Sequence, residues 1–152
     1  MSRSLRLALS VTLLAVLALG SVVATSAGTP KIIEASMVGI PAGAPTLHGI
    51  AGGGAPWIID AGKAELSTSG KLEVKVRGLT LLSGVNPIAN GRAILTCNSA
   101  AVASSPIVPF SAAGDADVET TLTVPSPCLA PAIFFVGVLP TGAERWFAVT
   151  GS

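Results

Sequence analysis

From Lys71 to Arg77 the chain alternates charged and aliphatic residues with a period of two: Leu72, Val74 and Val76 point one way and Lys71, Glu73, Lys75 and Arg77 the other. A helix would spread these side chains around its circumference. A strand sends them to opposite faces, so the segment reads as a strand with one face in a core and one in water. Asp115 to Val124 repeats the pattern, with Ala116, Val118, Thr120, Leu122 and Val124 inward and Asp115, Asp117 and Glu119 outward.

Shorter stretches of the same kind are expected at Ile32–Ile40, Trp57–Ile59, Gly62–Ser67, Arg92–Asn98, Ala101–Ser104, Ile133–Leu139 and Arg145–Thr150. Turn residues separate them. Thr68-Ser69-Gly70 joins two of these strands as a hairpin, and Ala112-Ala113-Gly114 leads into the acidic strand. With 11 prolines and 17 glycines along the chain, no room is left for a long helix. The expected fold is all-β, an immunoglobulin-like β-sandwich of about seven to nine strands. The likeness is architectural, because the tryptophan that immunoglobulin domains place between their cysteines is missing: Trp57 precedes Cys97 and Trp146 follows Cys128. Both tryptophans sit in apolar, strand-like surroundings and read as core.

The N-terminus is of another kind. Arg3 and Arg6 precede an apolar run from Leu7 to Leu19, and small residues follow up to Ala27, the order of an export signal. Residues 1–27 are expected to form a signal-peptide helix removed after Ala27, and residues 28–152 a single β-sandwich domain. Cleavage after Ala24 and an uncleaved anchor are the alternatives, since no charge falls between Arg6 and Lys31. The expected location is extracellular, with membrane contact only through that segment if it is kept. The alanine- and glycine-rich make-up points to a bacterial source. In an oxidising compartment Cys97 and Cys128 are expected to pair, closing a loop of about 30 residues worth about 3 to 4 kcal/mol in the chain-entropy model.

Loss of Arg3 and Arg6 leaves seven basic residues against eight acidic ones, a net charge of −1. Nucleic acid is excluded as a partner, because phosphate binding needs clustered Lys and Arg. The densest glycine stretch, Gly49 to Pro56, lacks the Gly-Lys-Ser/Thr ending of a P-loop and reads as a connection. No cofactor pattern is present. His48 is the single histidine, which rules out a site built from several imidazoles within one chain, and no nucleophile elbow accompanies it.

Asp115, Asp117 and Glu119 share one strand face, where they either bind calcium with help from loops or pair with Lys71, Lys75 or Arg77 across the sheet. The uncharged loop Ser83–Gly91, with Asn86 and Asn90, lies where sandwich folds place binding loops. The chemistry expected of this chain is therefore surface recognition: a secreted, non-enzymatic domain with an extracellular partner. A self-assembling surface subunit that pairs exposed strand edges is the alternative. A small secreted hydrolase using carboxylates or His48 is the third.

Overall fold

The computed structural model describes residues 28–43 and 45–151. The expected signal segment lies outside them. The described residues form eleven strands and no helix: β1 (Lys31–Gly39), β2 (Trp57–Ile58), β3 (Ala61–Ser67), β4 (Lys71–Arg77), β5 (Thr80–Leu81), β6 (Asn90–Cys97), β7 (Ala100–Ser104), β8 (Val108–Pro109), β9 (Ala116–Thr121), β10 (Ala132–Val138) and β11 (Glu144–Thr150). All the expected strands are present, with small shifts at their ends. β5 and β8 are additional, and Asp115 lies in the turn before β9.

Nine strands make one antiparallel sheet in the order β7-β6-β10-β11-β1-β3-β4-β9, with β8 also beside β6. A second small sheet pairs β2 with β5. The nine-stranded sheet curls, and β1 shows how. Its first part, Lys31–Ser36, pairs with β3, and its last three residues, Met37–Gly39, pair with β11. The sheet therefore changes direction along one strand. At its ends, only residues 110–115 separate β8, beside β6, from β9, so that turn draws the two edges toward each other.

Enclosed by the curl, Ala64, Leu66, Leu72, Val74 and Val76 meet Ala93, Leu95, Ile133 and Phe135, all fully buried. An aromatic cluster joins them: the Trp57 ring stacks on Phe147 at 3.9 Å between centroids, and Phe110 meets Phe135 edge-on at 5.1 Å. Two glycines are required by geometry. Gly70 turns the β3–β4 hairpin at φ +86°, and a Cβ there would sit 2.1 Å from the Leu122 carbonyl oxygen. Gly114, at φ +84°, would meet the Leu79 backbone at 2.4 Å.

β10 departs from alternation, since Ile133 through Gly137 are all buried. Ile133 and Phe135 face the enclosed core beside Leu95 and Ala93. Phe134 and Val136 face outward, yet Phe134 is 1 % exposed. The segment between β1 and β2 covers them. Its His48 ring packs edge-on against Phe134 at 5.3 Å, and Trp146, opposite Val136 on β11, holds it by three bonds. The Trp146 indole N–H donates to Pro45 O (2.9 Å), its backbone N–H donates to Ala51 O (3.0 Å), and its carbonyl accepts from Gly53 N–H (3.1 Å). Residues 45–50 form the lid over this second apolar layer, and the glycine-dense stretch then runs beside β11, where Gly52 bridges Trp146 in parallel and a Cβ on Gly53 would strike Phe147.

Cys97 and Cys128 are bonded, with Cα atoms 5.0 Å apart. Cys97 ends β6 and Cys128 lies four residues before β10, so the bond links the approach to one strand with its hydrogen-bonded neighbour. Immunoglobulin domains use their disulfide differently, to tie facing sheets. Here it closes the base of the excursion that carries β7, β8 and β9.

Candidate functional site

The acidic residues singled out in the sequence find separate partners. Asp117 accepts two bonds from the Arg77 guanidinium (2.7 and 3.0 Å), Glu119 lies 3.3 Å from Lys71 Nζ, and Asp115 accepts the Gly78 backbone N–H at 3.0 Å. Among the described residues no group of three or more acids, cysteines or histidines is arranged to hold a metal ion.

Register, not sequence, reveals a larger pattern around them. Glu34, Glu65, Glu73 and Glu119 lie opposite one another across β1, β3, β4 and β9, forming a row of four carboxylates. Like charges directly opposite repel. Lysines two or three residues along the strands compensate: Lys31 and Lys71 on one side, Lys63 and Lys75 on the other. Lys31 reaches Glu34 (2.9 Å) and Glu65 (2.8 Å), Lys63 reaches both as well, and Lys75 reaches Glu73 (2.5 Å). The bonds from Lys31 and Lys63 hold the Glu65 carboxyl down at about 2, and Glu34 and Glu73 are lowered by their lysines in the same way. This face is a solvated, internally neutralised lattice.

Asn86 is buried and wholly occupied. Its side-chain N–H groups donate to Ile88 O (2.7 Å) and Ser111 O (2.8 Å), its side-chain oxygen accepts from Ile88 N–H, and its backbone N–H donates to Ala112 O. It clamps the loop after β5 to the turn before β9. Asn90, exposed at the start of β6, faces Pro109 of β8. The loop therefore binds itself, and what it offers outward is apolar: Leu82 is 69 % exposed and Val85 53 %.

His48 is set in a left-handed turn at φ +48°. Its Nδ1 lies 2.7 Å from Thr96 Oγ1, which in turn donates to Ala132 O. The Thr96 hydroxyl therefore accepts from Nδ1–H. The partner of the ring is thus a buried hydroxyl, and the histidine serves as a post for the lid over Phe134.

Charge is segregated. Ten of the fifteen charged residues after Ala27 lie on the lattice face of β1, β3, β4 and β9, whereas residues 78–114 contain Arg92 alone. Within that stretch Leu82, Val85, Val102 and Ile107 are exposed. Arg92 is neutralised by Glu144 at 2.5 Å, both about three-quarters buried. The two ends of the sheet differ accordingly: β9 carries Asp117 and Glu119, and β7 reads Ala-Ala-Val-Ala-Ser. Two grooves meet at β7. One, of about 600 Å³, lies between β7 and the chain leaving β9, walled by Val102, Ser104, Thr121, Thr123 and Pro125 around Leu122. The other, of about 270 Å³, lies between β7 and the Arg92–Glu144 pair, beside Ile94. The sequence named neither groove, because β7 and the chain after β9 are distant along it until the curl brings them together.

Comparison of the chain with protein-family models, with curated proteins and with solved structures found no match.

Proposed function

We propose that this chain is exported by residues 1–27, released as an immunoglobulin-like β-sandwich and used outside the cell, a bacterial one by its composition, as a non-enzymatic domain that binds another protein through its uncharged surface. One observation carries the reading: among the described residues four of the seven exposed large apolar side chains, Leu82, Val85, Val102 and Ile107, fall in the stretch 78–114 where Arg92 is the single charge, and the uncharged edge β7 belongs to that stretch. Apolar patches on an exported domain mark sites that a partner covers. The disulfide supports export, since such bonds persist in oxidising compartments. His48 is bonded to a hydroxyl, and of the carboxylates Glu65 is tied to Lys31 and Lys63 and Glu144 to Arg92, so neither is paired with the histidine as a hydrolase would need. The uncharged edge equally favours a second reading, assembly of copies through paired edges.

A photo-crosslinking residue placed at position 82, 102 or 63 tests the binding reading in the protein's own culture. Defined adducts from 82 or 102 and none from 63, on the charged lattice, are expected. Equal labelling from all three, or none from 82 and 102, would refute it. The N-terminus of the protein recovered from the medium is expected to be Gly28, and a recovered chain still beginning at Met1 would sink free release.

A further inference from the structure

We infer that β7 is a docking edge for an extended, uncharged segment of a foreign protein, which pairs with it as an added strand. The inference rests on the reading that the uncharged surface is the interaction surface.

The two edges of the nine-stranded sheet supply the first argument. An exposed edge offers a row of free N–H and C=O groups, and folded proteins guard such edges with charge, proline or a bulge. β9 is guarded: a strand laid along it would have to desolvate Asp117 and Glu119 together with Arg77 and Lys71. β7 has no charge and no proline, its Val102 is 42 % exposed, and Ile107 just beyond it is 54 % exposed. Its register against β6 shifts between Ala101 and Ala103, which leaves Val102 as the extra residue of a bulge. That bulge is the single guard device on the strand.

The grooves supply the second. An added strand sends alternate side chains to opposite faces, so recognition by strand addition needs a recess on each face of the edge. β7 has one on each. The groove toward Leu122 is lined by hydroxyl and aliphatic groups alone, and a lysine or aspartate side chain in it would lose hydration with no counter-charge in return. The groove toward Arg92 contains a pair already neutralised, which favours a small or hydroxyl side chain.

Volume then chooses the occupant. A second copy of β7 brings only alanine, valine and serine side chains, which leave a recess of about 600 Å³ mostly unfilled. Pairing along five residues, about 17 Å, buries little by backbone alone against the roughly 1,200–2,000 Å² of stable interfaces, so side chains that fill the recesses have to supply the rest. A foreign segment alternating bulky aliphatic residues with threonine or serine fills both recesses.

Fluorescence anisotropy with capped octapeptides alternating Thr with Leu, Val, Phe or Lys tests this on the disulfide-bonded chain purified through a secretory host. At least one uncharged peptide is expected to bind, and the Lys peptide at least tenfold more weakly. Val102→Lys should weaken binding by tenfold or more, whereas Val38→Lys, equally exposed but on an interior strand, should change it less than twofold. N-methylation of alternate peptide nitrogens should abolish binding in one register and spare it in the other. Binding indifferent to N-methylation would mean adsorption to an apolar patch and would overturn strand addition. So would failure of every uncharged peptide. Light scattering that shows a dimer abolished by Val102→Lys assigns the edge to a second copy and overturns the foreign segment. Cross-linking from position 82 but not 102 would leave the interaction reading standing while β7 falls.

Discussion

Asn86 illustrates how much a single loop side chain can hold together. An asparagine in an uncharged loop advertises a ligand, but this one spends its hydrogen-bonding groups on Ile88 and Ser111. Asn86→Ala removes the partner of the Ile88 and Ser111 carbonyls and of the Ile88 N–H in a part-buried site, where each group left unpaired costs about 1 kcal/mol, the low end of the range for burial. Urea unfolding should show a loss of about 2 to 4 kcal/mol, and a change below 0.5 kcal/mol would mean that the clamp is dispensable. The glutamate row makes a prediction in pH. Glu34, Glu65 and Glu73 have folded values below the ordinary 4.5, with Glu65 at about 2. A lowered carboxylate contributes stability above its unfolded value and loses that contribution as pH falls toward the folded one. Thermal unfolding midpoints should therefore drop between about pH 4.5 and pH 2, and Glu65→Gln should flatten that slope. A Glu65→Gln slope as steep as the parent's would remove this residue from the explanation. The hairpin glycine at 70 and the turn glycine at 114 were legible, since Gly in a turn context between alternating strands has few other uses. The carboxylate row was not, because register joins residues up to 85 positions apart.

At the scale of elements, strands with one wet face were easy to read and strands with two covered faces were not. β4 and β9 announce themselves by alternation, and their inner residues are buried where the pattern puts them. β10 carries apolar residues on both faces because the lid between β1 and β2 covers its outer side. Nothing local in that segment's glycines and prolines says that part of it forms a layer. β5 and β8, two residues each, are too short to show any period. The double burial of β10 has a measurable cost. Phe134→Ala should destabilise by about 3 to 5 kcal/mol, as a core phenylalanine does, although its side chain points away from the enclosed core. Val102→Ala on β7, two strands away at the sheet edge, should stay within about 0.5 kcal/mol. Equal small effects would mean that the lid does not exclude water. The disulfide acts at this scale too, since the loop it closes contains β7, β8 and β9. Replacing both cysteines with alanine should cost about 3 to 4 kcal/mol, and an unchanged denaturation midpoint would show that the unfolded excursion is constrained by other means.

Whether the whole molecule is one cooperative unit depends on how firmly the lid belongs to the sheet. Three hydrogen bonds converge on Trp146 from Pro45, Ala51 and Gly53, and the ends of the segment that carries the lid are fixed by Ile40 N–H to Phe147 O (3.0 Å) and Trp57 N–H to Ile40 O (3.0 Å). Peeling the lid would expose Phe134, Val136 and Trp146 together, a loss of several kcal/mol at about 1.5 to 3 kcal/mol per large apolar side chain. Such a loss is comparable to the total stability of a small domain, about 5 to 15 kcal/mol, so lid and sheet are expected to unfold in one step. The two tryptophans are placed to report this. Trp57 stacks inside the enclosed aromatic cluster, and Trp146 lies in the outer layer. In Trp57→Phe the fluorescence comes from the lid layer, and in Trp146→Phe from the enclosed core. Each variant's fluorescence transition in urea should coincide with its own far-ultraviolet circular dichroism transition. A fluorescence change that precedes loss of the strand signal in Trp57→Phe alone would separate the lid as an independent, weaker unit. The outer face of β10 would then be open to solvent, and to partners, while the sheet stays folded.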